Sequence, residues 1–131
     1  MKRLVAAAAL LPALASGPAL ATGSIGCEGT GGDEVSVDLT IGSLPVLAIV
    51  SAAVAAGEDV WSMDETASSP IAVGQAFSED GRILVDFVDP NFETVLVRLR
   101  LVSAGEGKDE ALAGTLVISG RGAWPVVCVG P

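Results

Sequence analysis

The stretch RILVDFVDPNFETVLVRLRL, residues 82–101, decides the fold class of this chain. Apolar and polar side chains alternate on both sides of Asp89-Pro90-Asn91, and Asp and Pro suit the first two positions of a turn. This pattern predicts a β-hairpin with one apolar face. The positions expected to face inward are Ile83, Val85, Phe87, Val95, Val97, Leu99 and Leu101. On the outer face, Asp86 is expected to meet Arg98 or Arg100 across the hairpin, depending on register.

The same alternation recurs on both sides of this hairpin. Further strands are predicted at residues 35–41, 60–63, 71–77, 112–119 and 124–129, and Gly74 indicates a bulge. Residues 45–55 fit a strand or a short helix, and the alternation favours a strand. Residues 105–110 are expected to form a charged loop. We therefore predict an all-β, single-domain antiparallel β-sandwich or small barrel of about seven or eight short strands.

The N-terminus has the features of a secretory signal peptide. Lys2 and Arg3 precede an apolar run at residues 4–15, which is too short to span a bilayer core of roughly 20 residues. Cleavage is expected after Ala21, with Ala15 as the alternative. An N-terminal membrane anchor is the less favoured interpretation, because prolines and a glycine interrupt the apolar run.

Three segments follow from this interpretation. Residues 1–21 form the predicted signal peptide, residues 22–34 a Gly-rich and loosely held lead-in, and residues 35–131 the β domain. About 110 residues remain after cleavage, enough for one domain with one core. The predicted location is periplasmic or secreted, with no transmembrane segment after cleavage.

Cys27 and Cys128 nearly bracket the chain that remains after cleavage. In an exported protein with two cysteines, only one intrachain disulfide is available, and we expect it to act as a structural staple. Two separate buried thiols are the alternative. Zinc is disfavoured, because two thiols do not complete a tetrahedral shell and the chain contains no histidine.

The charge balance and the missing residue types exclude several functions. The net charge is −9, and removal of Lys2 and Arg3 with the leader makes it −11. This sign disfavours nucleic acid and favours a cationic protein partner. With no histidine, the chain has no Ser-His-Asp or Cys-His catalytic group of its own and no histidine-ligated metal.

One oxygen-rich segment is a candidate metal site. Calcium takes six to eight oxygen ligands, and the candidate ligands are Asp86, Asp89, Asn91 and Glu93. The alternative is an Asp-Pro-Asn turn with solvated acids. Three arginines (Arg82, Arg98 and Arg100) form a possible stripe for an anionic ligand on the exposed face, but pairing with Asp86 and Glu93 is favoured.

The sequence leaves the specific function open. The interpretation it favours is an exported, non-catalytic β-domain with a binding or structural role in the bacterial envelope; no catalytic residue and no cofactor other than the candidate calcium is predicted. A first alternative is a proteinaceous inhibitor of a basic secreted hydrolase such as lysozyme, which rests on size, charge and compartment. A second, less favoured alternative is a carboxylate-dependent enzyme, with Asp86 and Glu93 as the candidate pair.

Overall fold

The computed structural model describes residues 23–42 and 45–131, and the predicted signal peptide lies outside this part of the chain. The described residues form nine strands and no helix. In chain order the strands are β1 Gly23–Gly29, β2 Val35–Gly42, β3 Ala48–Ala56, β4 Asp59–Ser62, β5 Ala72–Glu79, β6 Arg82–Val88, β7 Val95–Glu106, β8 Asp109–Ile118 and β9 Gly122–Val129.

The nine strands make one antiparallel sheet in the order β4-β3-β2-β1-β9-β8-β7-β6-β5. Neighbours in the sheet are neighbours in the chain, except where the first and last strands pair at the centre. The sheet curls into a half-barrel. Its two edges approach where the Ser62 amide donates to the Ser69 carbonyl at 3.1 Å and the Ile71 amide donates to the Ser62 carbonyl at 2.9 Å.

The concave face of the sheet carries the hydrophobic core. The largest fully buried side chains are Phe87, Ile25, Leu39, Leu99, Leu101 and Leu116. They occupy alternate positions along their strands, as the period-2 pattern requires. No polar or charged side chain is buried among the described residues.

Several sequence predictions are confirmed. The fold is all-β and antiparallel, and the ambiguous segment 45–55 is a strand from Ala48 onwards. The register of β5 on β6 shifts between Val73 and Gln75, so the bulge at Gly74 is confirmed. In the β6–β7 hairpin, Asp86 lies opposite Arg98.

The predicted two-sheet sandwich is wrong. Each strand except β4 and the last strand, β9, continues into its neighbour in the sheet through a short connection, and the pairing of β1 with β9 joins the two halves into one continuous sheet. A single sheet can bury its apolar face only by curling around it. The barrel alternative is therefore nearer to the observed half-barrel.

The ninth strand comes from the predicted lead-in. Residues 22–34 were expected to lack a strand, but Gly23–Gly29 forms β1, which lies between β2 and β9. Only Ile25 and Cys27 supply buried apolar side chains there. Two apolar positions among glycines and polar residues give too weak a period-2 signal to predict a strand.

The predicted charged loop at residues 105–110 is also wrong. β7 runs to Glu106 and β8 begins at Asp109, so only Gly107 and Lys108 form the turn. Gly107 has a φ of 63°, which glycine adopts without steric cost. The ends of these two strands are polar and extend past the core. Because both of their faces carry polar residues, the apolar–polar alternation that predicts a strand is missing there.

Candidate functional site

The disulfide lies at the centre of the sheet. Cys27 on β1 and Cys128 on β9 are directly opposite, with their Cα atoms 4.0 Å apart and their sulfurs bonded. The predicted pairing is therefore confirmed, although it joins two central strands rather than a loose segment to a finished sheet. A disulfide is consistent with an oxidising compartment such as the periplasm or the cell exterior.

A shallow groove follows the outer face of β1, beside this disulfide. Its volume is about 600 Å³, and its lining includes Gly26, Cys27, Glu28, Gly29, Thr30, Ser36, Asp38, Val127 and Val129. The outward positions of β1 and β2 carry small or acidic side chains, whereas those at the end of β9 are valines. The groove exists because Gly26, which lies between Ser24 and Glu28 on the outer face of β1, has no side chain.

Gly26 forms the floor of the groove. A β-carbon added there would meet only the Asp38 Oδ1 atom within 4 Å, at 3.5 Å, which is an ordinary van der Waals distance. Gly26 also lies outside the group of residues with positive φ. Packing and backbone conformation therefore do not require glycine here, and glycine in a strand interior costs roughly 0.5–1 kcal/mol relative to alanine.

The groove is acidic on one side and apolar on the other. In residues 23–42 and 45–131, the ion pairs are Arg100–Asp86 and Arg121–Asp59, so the exposed Glu28 and Asp38 have no basic partner. On β9, Val127 lies opposite Glu28 and Val129 lies opposite Gly26, and these two valines are 54% and 80% exposed. Such a surface suits a ligand that combines positive charge with aliphatic groups.

These four side chains and Gly26 were not predicted as site residues from the sequence. Their strands could be recognised only from inward-facing residues, and β1 itself gave no clear pattern. The pairing of the first strand with the last is a tertiary contact, and it alone brings Val127 and Val129 beside Glu28.

The structure gives two of the four predicted calcium ligands, Asp86 and Asp89, other partners. Asp86 pairs with Arg100, with its Oδ1 atom 2.8 Å from Arg100 Nη1. Asp89 accepts hydrogen bonds from the backbone amides of Asn91 at 3.2 Å, Glu93 at 2.8 Å and Thr94 at 2.6 Å. Among the described residues, no three His, Cys, Asp or Glu side chains gather in a metal-ligand group. Calcium binding by Asp86, Asp89, Asn91 and Glu93 stays a prediction, which a melt in excess calcium would test.

Arg98 and Arg100 of the β6–β7 hairpin have different roles. Arg100 Nη1 donates to Asp86, as favoured in the sequence, and also to the Leu99 carbonyl at 3.0 Å. Arg98 lies opposite Asp86 in register and stays exposed. The pair forms diagonally because β-sheet side chains of this length reach across to the next position on the neighbouring strand.

Asp89 should make the β6–β7 turn sensitive to pH. The amide of Thr94 is the main cause that holds the pKa of the Asp89 carboxyl below its usual range, and the amides of Glu93 and Asn91 add to it. A depressed folded-state pKa stabilises the fold above the ordinary carboxyl pKa of about 4. This stabilisation is lost as the pH falls through the folded-state pKa.

We therefore expect Asp89→Asn to lower the melting temperature at pH 7, and the deficit relative to the wild type to shrink below about pH 4. Thermal melts of both proteins between pH 7 and pH 2 measure this. Asp109→Asn, at the start of β8 beside the β7–β8 turn, is the matched control. A deficit that stays constant across the whole pH range would contradict the assignment.

No protein-family model, curated protein or solved structure matches the chain. In the described part of the chain, no helix is long and apolar enough to cross a membrane.

Proposed function

We propose that the protein is an exported, non-catalytic binding domain that holds an extended cationic segment of another protein in the groove along β1. The observation that carries the proposal is the groove itself, with Gly26 as its floor and with Glu28 and Asp38 unpaired beside exposed valines. The disulfide supports an oxidising location, and the predicted signal peptide supports export.

The net negative charge of the chain favours a positively charged partner. The chain has 16 Asp and Glu residues against 7 Lys and Arg residues, so its field attracts cations and repels anions. Long-range attraction accelerates encounter, whereas Glu28 and Asp38 would fix the position of the bound charges. Such an interaction weakens as salt concentration rises, because exposed charges are screened.

The length of the groove suits an extended segment of the partner. β1 is 7 residues long, which corresponds to roughly 23 Å at the rise of a β-strand. Lysine and arginine present an aliphatic stem and a charged end. Their stems would pack on Val127 and Val129 while the charged ends reach Glu28 and Asp38.

Gly26→Val separates binding from folding. A side chain there would occupy the groove, while β-branched residues favour strands, so we expect an unchanged or higher melting temperature. We expect at least about a tenfold loss of affinity for a basic peptide, as filling a pocket removes its contacts. Calorimetric titration at low salt and a thermal melt measure the two effects. If a folded Gly26→Val protein bound the peptide with wild-type affinity, the groove would not be the binding site.

Neutralising the acids tests the role of charge. The double variant Glu28→Gln/Asp38→Asn should weaken binding by about three- to tenfold, the loss expected for two exposed ion pairs. The matched control is Glu106→Gln/Asp109→Asn, which removes the same charges from the paired strand ends beside the β7–β8 turn. Equal losses in both variants would show that net charge, rather than the groove, attracts the ligand.

Inhibition of a basic secreted hydrolase, such as a lysozyme, is the second candidate. The acidic groove favours it, since a basic loop of such an enzyme has the charge that Glu28 and Asp38 would bind. The test is enzyme activity with increasing amounts of the protein at low ionic strength. No inhibition across a panel of lysozymes would remove this candidate and leave the binding domain in place.

A further inference from the structure

A second pocket lies at the mouth of the half-barrel, at the end of the groove nearest the β1–β2 turn. Its volume is about 280 Å³, and its lining comprises Asp33, Glu34, Val35, Ala56, Gly57, Arg121 and Trp124. Val35 and Ala56, opposite each other on β2 and β3, are each 5% exposed. The pocket therefore has an apolar base inside the half-barrel and a polar rim from three turns.

The rim is held in place by a hydrogen bond between distant parts of the chain. The indole Nε1 of Trp124 donates to Asp33 Oδ2 at 3.1 Å. Trp124 lies opposite the fully buried Leu116, so its ring is on the core side of β9. This bond uses one oxygen of Asp33 and leaves the other oxygen, together with the Glu34 carboxylate, for a ligand.

Arg121 does not neutralise these two acids. Its guanidinium forms an ion pair with Asp59 and lies 5.5 Å from the centre of the Trp61 ring. Arg121 and Asp59 thus balance each other's charge. The remaining charge of the rim is negative, from the exposed Asp33 and Glu34.

From an apolar base, an aromatic wall and two carboxylates that have no basic partner, we infer that this mouth pocket binds the side chain of one arginine. Guanidinium is planar, stacks on indole and pairs with carboxylates through two parallel hydrogen bonds, which ammonium cannot do. The inference rests on the proposed function, since the segment in the groove would supply this arginine. A neighbouring depression lined by Glu28, Gly29, Asp33, Glu34 and Gly57, among others, connects the two sites.

The experiment uses N-acetyl-arginine amide, with N-acetyl-citrulline amide as its uncharged analogue. The readout is the indole N–H signal of Trp124 in ¹H–¹⁵N spectra, assigned with Trp124→Phe. We expect a saturable shift with the arginine probe and binding at least about fivefold weaker with citrulline. Equal shifts with both probes, or no shift with arginine, would overturn the inference.

Variants locate the binding in the pocket. Asp33→Asn keeps an oxygen for the Trp124 indole, so Asp33→Asn/Glu34→Gln removes charge without removing that hydrogen bond. We expect this variant to weaken arginine binding by about five- to tenfold, and Glu106→Gln/Asp109→Asn to leave it unchanged. Equal weakening by the two double variants would count against the pocket.

Failure of the inference can be told apart from failure of the proposed function. If Gly26→Val abolishes binding of a basic peptide but arginine-to-citrulline replacement in that peptide has no effect, the mouth pocket is wrong and the groove stands. If the basic peptide does not bind while the arginine probe shifts Trp124, the mouth pocket stands as a separate site and the groove is wrong.

Discussion

Gly114→Ala, in the interior of β8, is expected to destabilise the fold strongly. A β-carbon at Gly114 would overlap the Arg100 carbonyl oxygen and lie 2.8 Å from its carbonyl carbon and 2.9 Å from the Leu101 Cα atom. These are backbone atoms of the paired strand β7, so no side-chain rotation relieves the clash. We expect a loss of about 3 kcal/mol or more, seen as a fall in melting temperature of about 10 °C or more.

Gly26→Ala is the matched control for this prediction. Both glycines lie in strand interiors, but a β-carbon at Gly26 makes only an ordinary contact. Its melting temperature should equal or exceed that of the wild type, because alanine loses less backbone entropy on folding than glycine. Similar melting temperatures for the two variants would show that β7 and β8 can separate without cost, contrary to their ten-residue register.

Loss of the disulfide is the second large effect. Cys27 and Cys128 are separated by 101 residues, and chain-entropy models assign roughly 4–5 kcal/mol to a crosslink that closes a loop of this length. The total stability of a domain is typically about 5–15 kcal/mol, so Cys27→Ala/Cys128→Ala should lose a large part of it. Chemical denaturation of the variant and the wild type, both without reductant, measures the difference.

Reductant provides the control for the disulfide. It should lower the stability of the wild type towards that of the double alanine variant and leave the variant itself unchanged. Mass spectrometry establishes the redox state before each measurement. Two free thiols in the exported protein, or equal stability with and without the bond, would contradict the role of a structural staple.

The hairpin at residues 82–101 was predictable because its information is local. Alternation marks its inner face, and Asp89-Pro90-Asn91 marks its turn, where Asp89 accepts hydrogen bonds from three backbone amides. The same local pattern identified β2, β8 and β9. β1 was not predicted, since only Ile25 and Cys27 mark its inner face and one of the two strands that it pairs with is the last strand of the chain.

The candidate site could not be predicted for the same reason. Gly26 appears in the sequence as one of 16 glycines, and Asp38 as one of 16 acids. What distinguishes them is that Asp38 lies over Gly26 with no basic residue beside it, which follows from the register of β1 on β2. Trp124 and Asp33 form their hydrogen bond across 91 residues of sequence.

The sequence by itself determined the strand-rich class, the acidic charge, the absence of histidine chemistry and the single possible disulfide, because composition and period-2 alternation express these properties directly. Only the tertiary structure decided that the sheet is one curled half-barrel, that its first and last strands meet at its centre, and that the disulfide crosslinks them there. That pairing creates the groove and the mouth pocket, since it places side chains from the two ends of the chain within reach of each other. Contacts between distant residues depend on how the strands are ordered, and the period of a single strand carries no information about that order.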